Sequence, residues 1–78
     1  MERRTNGATV RVIREALGIS LTDLAARAGI AKPYMSQIET GARQPAAVVA
    51  RAIADGMGVP LESITYPVAV PEPVAAVS

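Results

Sequence analysis

The chain has 78 residues and a net charge of +1, enough for one small domain that buries only about 60% of its unfolded surface. Half of its residues are apolar, too many for a disordered chain; there is no Phe or Trp, and Tyr34 and Tyr66 are its two aromatic residues, so the core must be aliphatic. With neither cysteine nor histidine, the composition excludes a disulfide framework, thiolate or imidazole metal sites and the usual nucleophile–base pairs.

The first seven residues carry charge, including Arg3 and Arg4, but no apolar run of signal-peptide length follows. No segment reaches the roughly 20 apolar residues of a membrane span. A soluble cytoplasmic protein with no membrane attachment is expected, and Arg3 and Arg4 read as a solvated terminus or a basic arm for a minor groove. A first helix is predicted from about Ala8 to Leu17, with Val10, Ile13 and Leu17 on one face and Gly18 in the stop position. Ser20 opens a second helix ending at Ala28, and Asp23 three residues on completes a capping-box pattern. Gly29 marks a hinge.

A third helix covers about Lys32 to Thr40. Pro33 fits only in its first turn, where amides lack intrahelical partners anyway. Ala31 stands where a capping Ser or Thr is expected, so this helix start is weak, and Gly41 stops the helix. After the loop Gly41-Ala42-Arg43-Gln44, Pro45 opens a fourth helix from Ala46 to Met57, ended by Gly58. Pro60 begins a short fifth helix to about Ile64 or Tyr66, with Tyr66 packing it onto the body. Pro67, Pro71 and Pro73 forbid a helix in residues 67–78 and favour an extended or polyproline-like path. The expected organisation is an all-α, compact five-helix domain over residues 1–66 and an extended or disordered Pro/Val-rich tail over 67–78.

The second and third helices carry the functional signal. Leu24, Ala25, Ala28, Ile30, Met35 and Ile38 are apolar positions able to meet across the bend at Gly29. The outward positions Lys32, Tyr34, Ser36 and Gln37 offer hydrogen-bond donors and little charge, a set suited to base edges. A helix-turn-helix lays its second helix in the major groove, with its first residues touching bases. Charge distribution agrees: residues 1–51 hold eight basic and four acidic side chains, a balance of +4, and residues 52–78 hold three acidic ones. As plain surface residues, Ser36, Gln37, Lys32 and Arg43 would only solvate the domain.

The segments Val10–Arg14, Leu24–Ile30 and Tyr34–Pro45, followed by Ile53-Ala54, Met57-Gly58-Val59 and Leu61, resemble the lambda-type repressor and Cro-like helix-turn-helix family over roughly Val10 to Ile64. The resemblance implies a repressor-like five-helix fold whose third helix enters the major groove, with Lys32, Pro33, Tyr34, Ser36 and Gln37 facing DNA. It implies that Gln37 reads a base, an amide being able to bond adenine at N6 and N7. Lys32 would meet guanine or a phosphate, Tyr34 and Thr40 phosphate or sugar, and Arg43 would clamp a phosphate. Ser20 and the amides behind it would meet a phosphate at the positive end of the second helix. Arg14 and Glu39 match a pair that often forms an internal salt bridge in the family. One departure is Leu21, where the family commonly has a glutamine bracing the DNA backbone.

The expected function is that of a transcriptional regulator, bacterial or phage, which binds a double-stranded DNA operator, as a homodimer on two half-sites. It acts by binding alone, in the bacterial cytoplasm or a phage-infected host cell. Carboxylates occur singly and apart, so no catalytic residues, metal or cofactor are expected. Val68, Val70, Val74 and Val77 could form an extended arm that pairs with a second subunit or a partner protein; the alternative function is an antitoxin or anti-repressor that uses this tail to mask another protein.

Overall fold

The computed structural model describes residues 2–68. In chain order these form β1 (Glu2–Thr5), α1 (Gly7–Ala16), α2 (Leu21–Ala28), α3 (Lys32–Thr40), α4 (Ala47–Met57), a 3-10 turn (Leu61–Ser63) and β2 (Thr65–Val68). Val70, Val74 and Val77, assigned to a partner-binding tail, lie outside the described residues.

Each helix begins and ends for a local reason. The Asn6 side-chain oxygen accepts from the Thr9 amide at 3.2 Å and opens α1, one residue earlier than the sequence pattern predicts. Ser20 Oγ accepts from the Asp23 amide at 3.0 Å and opens α2, as its capping pattern predicts. α3 has no side-chain cap at Ala31 and carries Pro33 in its first turn. Gly29 ends α2 at φ 72°, in the left-handed region where a Cβ is disfavoured. The Ile30 amide then closes back on the Ala25 carbonyl at 3.0 Å.

The four helices meet in one aliphatic core. Val10 of α1, Leu24 and Ala25 of α2, Met35 and Ile38 of α3, and Ile53, Ala54 and Met57 of α4 are buried together with Ile64. Ala28 and Ile30 pack against this cluster from the bend. Leu17, expected on the buried face of the first helix, is the C-cap residue after Ala16 and is 51% exposed, although its amide still donates to the Ile13 carbonyl at 2.9 Å. Gly7 marks the closest approach of α1 to α3: a Cβ there would overlap the Ile38 carbonyl oxygen.

The fifth helix of the sequence reading is absent. Pro60 opens only the single 3-10 turn Leu61–Ser63, and the chain then extends as β2. Pro67 drives Tyr66 towards extended backbone, and Thr65, Tyr66 and Val68 favour strands. The partner strand is the N-terminus read as solvated, in antiparallel register with Arg3 opposite Pro67, Arg4 opposite Tyr66 and Thr5 opposite Thr65. The described residues therefore form four helices with a small two-stranded sheet. Tyr66 lies on that sheet, 44% exposed, instead of packing a helix onto the body.

Both sheet edges are blunted. The Asn6 amide donates to the Ile64 carbonyl at 2.7 Å, so Thr5 and Thr65 face each other without exchanging hydrogen bonds, and Arg4 and Tyr66 exchange them. Thr5 therefore turns its N–H and C=O outwards, where the Gln44 side-chain amide takes both, at 3.0 and 2.9 Å. On the other edge Pro67 occupies an outward-facing position with no N–H to offer.

Candidate nucleic-acid interface

α3 owes its position to what lies behind it. Met35 and Ile38 are buried in the core. On the side towards α1, the Arg14 guanidinium meets Glu39 through Nε at 2.7 Å and a terminal nitrogen at 3.1 Å, and its other nitrogen donates to the Ile19 carbonyl at 2.9 Å. The hydrogen bond to Glu39 holds the guanidinium pKa above its ordinary value, against the opposing effect of burial, so Arg14 stays charged. The pair is internal, as the resemblance implies, with side chains only 11% and 6% exposed.

The opposite face of α3 is open. Lys32, Pro33, Gln37 and Thr40 are exposed, and Tyr34 and Ser36 are half-buried along its flanks. The Thr40 hydroxyl donates to the Gln37 carbonyl at 3.1 Å, which ties off the last turn and leaves the Gln37 amide side chain without a described partner. Ser20 is exposed at the start of α2, its oxygen engaged in the cap. Among the sequence-predicted residues, Lys32, Pro33, Tyr34, Ser36, Gln37 and Thr40 thus share one helix, with Ser20 on the neighbouring element and Arg43 in the loop that follows.

Arg43 is drawn back onto α3. Its amide donates to the Gln37 carbonyl at 3.2 Å, and its guanidinium carbon lies 5.8 Å from the centroid of the Tyr34 ring, within cation–π range. No spacing rule in the sequence announces that contact. Leu21, standing where the family commonly has glutamine, is half-buried and packs against the core, so it supplies no polar brace.

Several of the cations are engaged within the fold. Arg11 pairs with Glu15 at 3.6 Å and Arg27 with Asp23 at 3.2 Å, and Arg27 also donates to the Gly56 carbonyl, joining α2 to α4. Arg3 is engaged with Thr65, through Oγ1 at 2.8 Å and the carbonyl at 3.2 Å. Lys32, Arg43, Arg4 and Arg51 take no ion pair among the described residues, and the first two of these stand beside α3, available to an anion. Sequence reasoning missed Asn6, Gln44 and the Arg3–Thr65 contact; Asn6 alone carried a signal, as a capping residue before the first helix.

Comparison with known proteins accords with this geometry. A family model described as a helix-turn-helix domain matches residues 7–64. An uncharacterised HTH-type transcriptional regulator of Mycobacterium tuberculosis is 38% identical over 60 residues, covering 77% of this chain and 23% of the relative. A second such regulator of that organism is 37% identical over 67 residues, covering 86% and 48%. The chain spans less than half the length of either curated relative. Among solved structures, the restriction-modification controller protein C.AhdI from Aeromonas hydrophila superposes with a TM-score of 0.72 at 26% identity, over 73% of this chain and 86% of that one. SinR, a master regulator for biofilm formation solved in complex with DNA, superposes with a TM-score of 0.68 at 30% identity, over 72% and 90%. By the family match over most of its length, and by the repressor-like arrangement of its α2 and α3, this chain belongs to the helix-turn-helix domain family.

Proposed function

We propose that this protein is a sequence-specific, double-stranded DNA-binding transcriptional regulator of the repressor or Cro-like kind, reading the major groove with α3. The observation that carries the reading is the two-sidedness of α3. Its inner face is fixed by Met35, Ile38 and the Arg14–Glu39 pair, and its outer face presents Lys32, Pro33, Gln37 and Thr40 to solvent. A helix used only for packing has no need of so rigid a mount for so polar a face. Gln37 reads a base, Lys32 meets guanine or a phosphate at the helix start, and Thr40 contacts the backbone. Ser20 and the first amides of α2 receive a phosphate at the positive helix end.

The protein acts by occupancy, without chemistry, in the cytoplasm of a bacterium or of a phage-infected cell. It binds as a homodimer, because two half-sites one helical turn apart multiply the modest affinity of a single helix. The test is binding of the full chain to duplex DNA between about 50 and about 200 mM salt. The logarithm of affinity should fall linearly with the logarithm of salt concentration. Absence of duplex binding at the lowest salt would contradict the reading.

A further inference from the structure

We infer that Arg43 reads a base, with Tyr34 as its positioning residue, so that the pair forms a second specificity element beside Gln37; this rests on the major-groove reading proposed above. The resemblance implies that Arg43, in the loop after α3, clamps a phosphate. Tyr34 is the third residue of α3, whereas Thr40 ends the helix, about 9 Å further along its axis at 1.5 Å per residue. The Arg43 amide is hydrogen-bonded to the Gln37 carbonyl, which turns the chain back along the last helical turn. The Arg43 guanidinium carbon lies 5.8 Å from the Tyr34 ring centroid. The charge therefore lies beside the side chain of Tyr34, a residue of the first turn of α3, the end whose residues meet base edges in a helix-turn-helix.

The contact also prepares the group chemically. A guanidinium over an aromatic ring is covered on one face and keeps its N–H edge for hydrogen bonding. Arg43 has no carboxylate partner among the described residues to occupy that edge. A planar fork held in this way matches O6 and N7 of guanine, the commonest specific contact of arginine in the major groove. Tyr34 and Gln37 are three residues apart on one helix and so are neighbours on its surface. The guanine read by Arg43 should consequently lie next to, or one step from, the base read by Gln37.

The test starts from the duplex that the wild-type chain retains from a randomised library, and compares Arg43→Ala, Arg43→Lys, Tyr34→Phe and Tyr34→Leu. Arg43 is exposed, so its replacement leaves the fold intact, and Tyr34→Leu keeps an apolar body in a half-buried position. Arg43→Ala should lower affinity roughly 5- to 150-fold for the site carrying the guanine and far less for sites with another base there. Arg43→Lys should not restore the preference, since an ammonium lacks the fork. Tyr34→Phe should keep it, Tyr34→Leu should relax it at the same position, and the Arg43→Ala/Tyr34→Leu double variant should lose no more than Arg43→Ala alone. Equal weakening of all sequences by Arg43→Ala, with a salt slope lower by about one, would make Arg43 a phosphate contact and overturn the inference. So would an unchanged base preference in Tyr34→Leu. If the wild-type chain retains no preferred sequence at all, it is the DNA-reading function itself that fails.

Discussion

Arg14 and Glu39 are joined by two parallel hydrogen bonds, at 2.7 and 3.1 Å, across the contact between α1 and α3. Both side chains are nearly sealed from solvent, and the third nitrogen of the fork is taken by the Ile19 carbonyl. Removing one partner leaves a charge buried without compensation, which costs about 3–5 kcal/mol. Arg14→Ala should lower the melting temperature by roughly 10 °C or more, with little change in which bases are preferred by the fraction that remains folded. An unchanged melting temperature would show that the pair does not mount α3.

Gln37→Ala should behave in the opposite way. The side chain is exposed, and only its backbone carbonyl serves Thr40 and Arg43, so thermal melting should be unchanged to within about 0.5 kcal/mol. Affinity for the preferred duplex should fall by about 1–3 kcal/mol, with relaxed preference at one position per half-site. Competition binding against single-base variants of the site measures this, and uniform weakening would remove Gln37 from the list of base readers.

Gln44 is exposed yet structural. Its amide supplies an acceptor and a donor to the backbone of Thr5, a residue only 6% exposed, and thereby stands in for a third strand. Gln44→Ala should cost about 1–3 kcal/mol and accelerate hydrogen exchange of the Thr5 amide. Gln44→Glu should not rescue it, because a carboxylate cannot donate to the Thr5 carbonyl. Exchange of Thr5 at the wild-type rate in Gln44→Ala would show that the edge is held by something else.

Gly7 is required by proximity. Any Cβ would overlap the Ile38 carbonyl oxygen, so Gly7→Ala must push α1 away from the end of α3. A loss of about 1–3 kcal/mol or more in urea unfolding is expected, accompanied by weaker DNA binding as α3 loses its seat. Equal stability would mean that α1 shifts at no cost.

The parts legible in the sequence are those written in local chemistry. Ser20, Gly29, Pro33 and Gly41 each act within a few residues of themselves, and the bounds of α3 emerge at Lys32 and Thr40 as predicted. The apolar spacing of Leu24, Ala25, Met35 and Ile38 likewise gave the shared core of the two helices. Leu17 misled because period alone cannot say whether the core reaches the end of a helix: as the C-cap residue it is 51% exposed. The sheet was illegible for a different reason. Arg3 and Thr65 stand 62 residues apart and Gln44 and Thr5 39 apart, and four-residue strands carry too little pattern to announce such partners. The prolines of the tail mask the strand Thr65–Val68, where Pro67 is tolerated because it sits on an edge. In the candidate interface the exposed residues of α3 were recoverable from helical spacing. The return of Arg43 over Tyr34 was not, since it depends on the path of a loop.

In the proposed function, α3 reads double-stranded DNA by sequence. The most direct measurement is selection by the full wild-type chain from a randomised duplex library at near-physiological salt, with sequencing of the retained pool. Enrichment of a pseudo-palindrome whose half-sites lie about one helical turn apart is the result this account predicts. A retained pool indistinguishable in sequence from the input would contradict it.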